Sequence, residues 1–348
     1  MTLDEILKTM KESNSFIILS HDNPDGDAIG SALAVATVLK ELGKTNIDVV
    51  TKEYPANFRG LPNSNMIKSE GQDINYDMAI VVDCPNINRV HEDYHHYIED
   101  SVTVAQFDHH LNNAMFGDYN VVNSAAPACA QILVSSFQYL NIEMSKDVTT
   151  CLMAGIITDT GGFRFNSVTA ETFEFAAWAL TRGINISKIY KDVMMTKTKA
   201  QFEAEKLAVD RIEFFHDGKI TFTYFTKADE EKLNIQSGEL DGIVDIGRNV
   251  EGVEVAIFVR EKSNGFKASF RSNSIDIAEI CMLFGGGGHT LPSEALAAAK
   301  YLLLLVTFRQ MCHSRGGFFR WIVCLYKKRK KPRMYLHTRT NVAIMWTT

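Results

Sequence analysis

The stretch FIILSHDNPDGDAIGSALAVATVLKELG, residues 16–43, decides the fold. It opens on a short apolar run that is typical of a buried strand, and this run leads into a polar segment at 21–27. Beyond that segment, apolar residues recur at helical spacing up to Gly43, namely Ile29, Leu33, Ala36, Leu39 and Leu42. A strand joined to a helix by a polar turn is the first half of a parallel βαβ unit.

The same alternation continues along the first half of the chain. Further strands are predicted at 47–50, 78–82 and 102–105. Helices are predicted at 28–42, 128–140, 146–157, 170–181 and 186–195. Strands that alternate with helices indicate an α/β fold with a doubly wound, mainly parallel sheet.

A second, smaller α/β domain is predicted after a charged helical connector at about 198–211. Its pattern comprises strands at 220–225, 253–260 and 266–270, and a helix at 276–284. We therefore expect a first domain at 1–190, a helical linker at 191–211, a second domain at 212–296 and an anomalous tail at 297–348.

The composition is that of an ordinary globular protein. The chain has 348 residues, of which 46% are hydrophobic and 22% charged. No apolar run reaches the ~18–20 residues of a membrane span, and the N-terminus lacks the pattern of a signal peptide. The six cysteines include no C-x-x-C pair, which argues against disulfides and against a cysteine zinc site. We expect a cytoplasmic protein without membrane association.

The charge of the chain changes sign near residue 290. Residues 1–289 carry 25 basic and 41 acidic side chains, whereas residues 290–348 carry 11 basic and one acidic. The overall field of the acidic part does not attract polyanions, so a phosphate substrate needs local cations or bound metal there. We expect the tail at 297–348 to be an aberrant extension, and the alternative is an accessory basic segment that binds RNA or membrane.

Residue types that bind metals cluster where predicted strands end. His21, Asp25 and Asp27 follow the first strand, and Asp83 follows the strand at 78–82. The next strand runs into the triplet Asp108-His109-His110. Because ligand sites of open parallel sheets lie outside the carboxyl ends of the strands, we expect these side chains to meet.

A fourth polar cluster, around Asp159, follows an apolar helical run and is expected to face the same edge. Imidazoles and carboxylates without thiolates suit Mn²⁺, Mg²⁺ or Fe²⁺ better than a structural zinc site. Asp25 and Asp27 are two residues apart, so their side chains can face two different ions. A pair of ions can activate water and neutralise the charge of a phosphoryl group during hydrolysis. Each cluster alone also fits an ordinary turn or helix cap, but four of them in this order favour a metal site.

These motifs resemble those of a known family. The sequence H-x-N-P-D-G-D-x-x-G-S at 21–31, Asp83, the Asp-His-His triplet at 108–110 and Asp159 resemble the four motifs of the DHH phosphoesterases. Arg271 and the run at 285–289 resemble the smaller DHHA1 domain of that family. The resemblance covers about residues 1–289 and is strongest to the group of bifunctional oligoribonucleases and 3'-phosphoadenosine 5'-phosphate phosphatases.

The resemblance implies a role for each site residue. It implies two Mn²⁺ ions, with Mg²⁺ or Co²⁺ as alternatives, one held by His21 and Asp25, the other by Asp27, His109 and Asp159, with Asp83 bridging. His110 would act beside the metals as a catalytic residue, and Asp108 would orient a histidine. The residues implied to bind the phosphate end of the substrate are Arg271, Gly285, Gly286, Gly287, Gly288 and His289.

The resemblance also implies where the reaction occurs and on what. The active site would lie in a cleft between the DHH and DHHA1 domains, and short RNA oligonucleotides and 3'-phosphoadenosine 5'-phosphate would be the substrates. A homodimer is left open. Alternatives within the superfamily are an inorganic pyrophosphatase and a phosphodiesterase for linear dinucleotides derived from cyclic ones. An alternative of another class is a non-catalytic module that binds single-stranded nucleic acid.

Overall fold

The computed structural model describes residues 2–236, 238–240, 242–262, 265–274 and 277. The strands of its first sheet are β1 (Ser15–Leu19), β2 (Asn46–Val50), β3 (Ile67–Lys68), β4 (Met78–Val82), β5 (Thr103–Asp108) and β6 (Tyr119–Val122). They form one sheet in the order β3-β2-β1-β4-β5-β6, and neighbouring strands pair in parallel throughout. The predicted α/β fold with a mainly parallel sheet is confirmed.

Helices cover both faces of this sheet. Those up to Arg211 are α1 (Thr2–Glu12), α2 (Gly26–Glu41), α3 (His95–Glu99), α4 (Cys129–Tyr139), α5 (Lys146–Asp159), α6 (Ala170–Thr181), α7 (Ile186–Tyr190) and α8 (Lys199–Arg211). Phe16 and Ile18 of β1 pack into the core on one face, and Ile17 and Leu19 pack into the core on the other. Because successive side chains of a strand point to opposite faces, a strand covered on both faces is apolar at every position.

Glycines allow α2 and α5 to pack unusually close to each other. A Cβ atom on Gly30 would lie 2.5 Å from the carbonyl oxygen of Cys151, and one on Gly155 would lie 2.7 Å from Oδ1 of Asp27. A Cβ atom on Gly26 would meet the side chain of Thr158 at 2.4 Å. This close packing brings the first turn of α2 beside the last turn of α5, where Asp159 ends the helix.

The second sheet has the order β10-β9-β8-β7, with β7 (Glu213–Phe215), β8 (Ile220–Phe225), β9 (Val255–Lys262) and β10 (Gly265–Ser272). Strands β7 and β8 pair antiparallel, with Phe214 opposite Thr221. The helices α9 (Lys227–Leu233) and α10 (Ile243–Arg248) lie between β8 and β9 in the chain. Contacts divide the chain into two compact units, and residues 224–243 belong to the same unit as residues 2–211.

Some element boundaries differ from the prediction. Strand β5 comprises Thr103–Asp108, whereas the prediction was 102–105. Val102 is 75% exposed and lies outside the sheet. The predicted helix at 186–195 ends at Tyr190 and gives way to a π-helical turn, Lys191–Met195. The predicted helix at 276–284 and the tail at 297–348 lie outside the described residues. Within the described part, no helix has both the length and the apolar character needed to cross a bilayer.

Candidate active site

Adjacent strands and two helix ends bring the predicted residues together. Strands β1, β4 and β5 are neighbours in the sheet, and their carboxyl ends lead into His21, Asp83 and His109. Helix α2 supplies Asp25 at its N-cap and Asp27 in its first turn, and α5 supplies Asp159 as its last residue. The site therefore lies where parallel α/β sheets bind ligands, at the carboxyl edge.

Asp83 lies at the centre of this group. Its Oδ2 is 3.4 Å from Nε2 of His21, and its Oδ1 is 3.4 Å from Nε2 of His109. His109 Nε2 is also 3.4 Å from Oδ2 of Asp159. Three sets of side chains have ligand atoms within 4.8 Å of one another, namely His21, Asp25 and Asp83; Asp27, His109 and Asp159; and Asp83, His109 and His110. The first set contains Asp83 together with His21 and Asp25, whereas the second does not include Asp83. The division of these residues between two ions stays a prediction.

The backbone at Asp83 is strained. Its φ of 52° lies in the left-handed region, which a residue with a side chain adopts at a cost of roughly 1–3 kcal/mol. Two hydrogen bonds hold this turn: Asp83 N–H donates to the carbonyl of Phe107 at 2.9 Å, and Gln106 Nε2 donates to the carbonyl of Cys84 at 2.7 Å. Because the turn is fixed from β5, the Asp83 carboxylate is aimed into the site rather than along the strand.

Helix α2 positions its two carboxylates in different ways. Asp25 caps the helix through Oδ1, which accepts hydrogen bonds from the amides of Asp27 and Ala28 at 3.0 and 3.1 Å. Asp27 is fully buried, and its two oxygens accept from the amides of Cys129 and Ala130 at 2.6 and 2.9 Å. These bonds fix the side chain from the start of α4 and explain how a carboxylate is tolerated inside the core.

The histidines are held with one ring nitrogen facing the site. Nδ1 of His21 lies 3.0 Å from the carbonyl of Asp22, and Nδ1 of His109 lies 3.3 Å from the carbonyl of Ala126. A carbonyl accepts only, so Nδ1 carries the proton in each bond, and Nε2 of the neutral ring is an acceptor that faces the carboxylates. This is the tautomer that a metal-binding histidine requires.

His110 has a different partner. Its Nδ1 lies 2.7 Å from Oδ1 of the fully buried Asp108. The other oxygen of Asp108 accepts from Asn113 Nδ2 at 2.6 Å and from the amide of His110 at 3.2 Å. Asp108 therefore orients the His110 ring and is itself fixed by Asn113.

Burial and like charges raise the pKa values of the acids at the edge of the cluster. Burial raises the pKa of Asp159 to about 7; the charge of His109 opposes this rise, and the charges of Asp25 and Asp83 add to it. Burial also raises the pKa of Asp27 well above its usual range, helped by the charges of Asp83 and Asp159. Carboxylates packed this closely need a compensating positive charge to be ionised together.

The imidazoles supply that charge when no metal is bound. Burial alone would lower the pKa of His109, but its hydrogen bond with Asp83 and the charges of Asp27 and Asp83 raise it to about 10. Burial also opposes protonation of His21, but the hydrogen bond and charge of Asp83 and the charge of Asp25 raise its pKa to about 9. The two histidines in turn overcome the effect of burial on Asp83 and hold its pKa well below the usual range.

The donor set fits a hard or borderline divalent cation. Asp83 Oδ1 is buried and accepts no well-oriented hydrogen bond from the described residues, so a ligand lone pair is left over. The nearby thiols do not compete, since Cys84 and Cys129 donate to the backbone carbonyls of Asn86 and Phe107 and burial raises their pKa. Carboxylate and imidazole ligands without thiolate are the set expected for Mn²⁺ or Mg²⁺.

The predicted substrate-binding residues are only partly described. Arg271 lies on β10, where it is exposed and its Nη1 donates to the carbonyl of Phe270 at 3.1 Å. Gly285, Gly286, Gly287, Gly288 and His289 lie outside the described residues. Their role in binding a phosphate end stays a prediction.

The family of the chain follows from its domains together with this site. Residues 15–156 match the DHH family, N-terminal domain, and residues 217–297 match the DHHA1 domain. The chain therefore contains a DHH domain followed by a DHHA1 domain, the domain arrangement of a DHH-type phosphoesterase. The resemblance drawn from the motifs is thus confirmed.

Particular relatives share most of the chain. A bifunctional oligoribonuclease and PAP phosphatase NrnA from Thermus thermophilus is 29% identical over 290 residues, which are 82% of this chain and 84% of that protein. The protein of the same name from Bacillus subtilis is 23% identical over 296 residues, 84% of this chain and 92% of its own length. An exopolyphosphatase-related protein from Bacteroides fragilis has the same fold, with a TM-score of 0.75, 23% identity and coverage of 90% of this chain and 96% of that one.

Several residues that shape the site were not singled out from the sequence. Gln106 donates to the carbonyl of Cys84, next to Asp83, and Asn113 donates to Asp108. Gly155 of α5 lets that helix approach α2, where Gly30 of the motif at 21–31 faces it. A glutamine in the apolar run of a predicted core strand was the available signal for Gln106, because a buried amide needs partners. The glycines within two predicted helices were a comparable signal of close packing.

Proposed function

We propose that this protein hydrolyses very short oligoribonucleotides to mononucleotides and converts 3'-phosphoadenosine 5'-phosphate to AMP. The observation that carries the proposal is the meeting of carboxylates and imidazoles around Asp83 at the carboxyl edge of the sheet. The names of the relatives from T. thermophilus and B. subtilis support the choice of substrates.

In this proposal the residues divide into two ligand sets that share one carboxylate. One set is His21 and Asp25, and the other is Asp27, His109 and Asp159. Asp83 is proposed to serve both, since its two oxygens face His21 and His109 at 3.4 Å. Divalent ions in such sites lower the pKa of water and neutralise the charge of a phosphoryl group. Mn²⁺ is the proposed ion, with Mg²⁺ or Co²⁺ as alternatives. The chain's own contribution is to hold the ligands rigidly, through the bonds to Asp27 and the turn at Asp83.

His110 is proposed as the residue that contacts the substrate beside these sets. Its Nδ1 is 2.7 Å from Asp108 and 3.7 Å from Asp83 Oδ1, so the ring borders the ligand cluster and is held by a buried carboxylate. A histidine held in this way can donate a proton to a leaving oxygen. Asp108 is then a positioning residue, acting through His110.

Arg271 is proposed to bind the phosphate end of the substrate. A guanidinium binds a terminal phosphate through two parallel hydrogen bonds, and losing such a contact costs ~1.5–3 kcal/mol, or roughly ten- to a hundredfold. We expect Arg271→Ala to raise KM for 3'-phosphoadenosine 5'-phosphate and to leave cleavage of a small generic phosphodiester unchanged. Equal losses on both substrates would contradict this assignment.

One panel of substrates tests the proposed function. Products are analysed after incubation with Mn²⁺ and RNAs of two to five nucleotides, 3'-phosphoadenosine 5'-phosphate, inorganic pyrophosphate and cyclic dinucleotides. We expect mononucleotides from the RNAs and AMP from the bisphosphate, both absent in Asp83→Asn. Turnover of pyrophosphate alone would favour the pyrophosphatase alternative, and binding of RNA without hydrolysis would favour the non-catalytic one.

A further inference from the structure

The turn that follows Asp159 presents aromatic rings at the surface. Gly161, Gly162 and Phe163 have φ values of 57°, 72° and 66°, so the chain reverses directly after the last residue of α5. Phe165 is then 46% exposed, and Phe173 of α6, which stacks on Phe163 with 5.6 Å between the ring centroids, is 56% exposed. Exposed apolar rings that are grouped beside a candidate active site are a feature of ligand-binding surfaces.

The position of the Phe165 ring depends on Gly161. A Cβ atom on Gly161 would lie 2.5 Å from Cζ of Phe165, so the ring rests against the glycine backbone, and Gly161 is two residues from Asp159. Since a chain spans at most ~3.6 Å per residue, the backbone at Gly161 lies within about 7 Å of that at Asp159. The Phe165 ring therefore rests on the turn that continues directly from Asp159, a candidate metal ligand.

The turn is also rigid and carries a cation. The carbonyl of the buried Thr160 accepts from the amides of Arg164 and Phe165 at 2.9 and 3.1 Å, and its Oγ1 accepts from the amide of Phe163 at 3.0 Å. Arg164 donates through Nε to the carbonyl of Gly161 at 2.6 Å, which fixes the guanidinium of an otherwise exposed residue. A preorganised surface with an aromatic ring and a cation binds a ligand that has a planar ring and a negative charge with little loss of conformational freedom.

We propose that residues 161–165 form a nucleobase-binding surface, in which the Phe165 ring stacks on a base of the substrate and Arg164 contacts the neighbouring phosphate. This rests on the proposed function and adds to it the part of the substrate that is recognised beside the metal ligands. An aromatic face accepts any base, because every base has a π face, so the surface selects nucleotides over other phosphate esters without selecting a sequence.

Binding of AMP and of adenosine, measured by calorimetry, tests the proposal without relying on turnover. Stacking on an aromatic side chain typically contributes ~1–3 kcal/mol per base, so we expect Phe165→Leu to weaken AMP binding by roughly tenfold. Arg164→Gln is expected to weaken AMP binding and to leave adenosine binding unchanged. Phe202→Leu, which alters a phenylalanine on α8 that is more exposed than Phe165 (61% against 46%), is the control and should bind AMP as the wild type does.

Hydrolysis gives a second measurement. Phe165→Leu should raise KM for 3'-phosphoadenosine 5'-phosphate and leave the rate on its abasic counterpart, ribose 3,5-bisphosphate, unchanged. Equal AMP affinity in wild type and Phe165→Leu, or no AMP binding by wild type, would overturn the proposal. If neither bisphosphate is hydrolysed but AMP binding depends on Phe165, the base surface stands and the proposed function fails.

Discussion

Replacing Gly30 by alanine tests whether the close packing of α2 on α5 builds the site. In an exposed helix interior this change stabilises a protein by about 1 kcal/mol, because alanine has the higher helix propensity. Here the added Cβ atom would lie 2.5 Å from the carbonyl oxygen of Cys151 and 3.0 Å from the amide nitrogen of Gly155. Both are backbone atoms, so no side chain can rotate away and one helix must move.

The size of the effect follows from these distances. Since ordinary carbon contacts lie near ~3.5–4 Å, α5 must shift by roughly 1 Å to accommodate the methyl group. Overpacking of this kind costs typically ~1–3 kcal/mol, from which the propensity gain of about 1 kcal/mol is subtracted. The net loss of stability is modest, but the shift separates Asp27 on α2 from Asp159 on α5. A displacement near 1 Å at a reacting site lowers the rate by about 100-fold.

Thermal unfolding, Mn²⁺ titration and hydrolysis of a dinucleotide measure the two consequences separately. We expect Gly30→Ala to melt a few degrees lower, to bind Mn²⁺ more weakly and to lose activity far beyond its loss of stability. Gly60→Ala is the matched control, because a Cβ atom there meets nothing within 4 Å and its φ is not positive. A Gly30→Ala protein that melts at or above the wild-type temperature with full activity would refute the reasoning.

Three further outcomes are expected. Asp83→Asn should lower hydrolysis by several orders of magnitude in Mn²⁺, because the shared carboxylate contacts both ligand sets; steady-state kinetics checks this, and full activity would contradict it. Without metal, stability should fall between about pH 6.5 and 10, because the folded state keeps protons on His21 (pKa about 9) and His109 (pKa about 10) that the unfolded chain releases near 6.5. Thermal melts across that range should show the fall, and saturating Mn²⁺, which displaces these protons, should remove it. Deleting residues 297–348 should leave dinucleotide cleavage within a few-fold and the salt dependence of RNA binding unchanged; a shallower salt slope would show that the tail binds phosphates.

The parallel sheet was predictable because its central strands carry a strong local signal. In a globular protein, an apolar run such as Phe16–Leu19 that is followed by a polar turn and a helical pattern is typical of a buried strand that leads into a helix. Strand β6 (Tyr119–Val122) was missed because it is only half-buried, so its sequence lacks a continuous apolar run. Helix α1 was missed for a similar reason, since its largely polar sequence buries Ile6 and Met10 on one side only.

The residue types of the candidate site were predictable, but the geometry that activates them was not. Sequence spacing indicates that His21, Asp83 and His109 follow neighbouring strands, and parallel topology then brings them to one edge. It does not reveal the left-handed backbone at Asp83, because that conformation is imposed from β5 through the carbonyl of Phe107 and the side chain of Gln106. A constraint that comes from another strand has no signature in the local sequence.

The glycines inside α2 and α5 also have a role that the local sequence does not reveal. Within a helix, a glycine is locally unfavourable, so helix propensity alone would make Gly30 and Gly155 weak points of α2 and α5. Their actual role exists only when the two helices meet, because each removes a Cβ atom that would collide with the facing backbone or with Asp27. The local cost in helix propensity is accepted where it lets carboxylates from both helices, Asp27 and Asp159, come together. A residue that looks like a defect in one element is therefore a condition for the site between two elements.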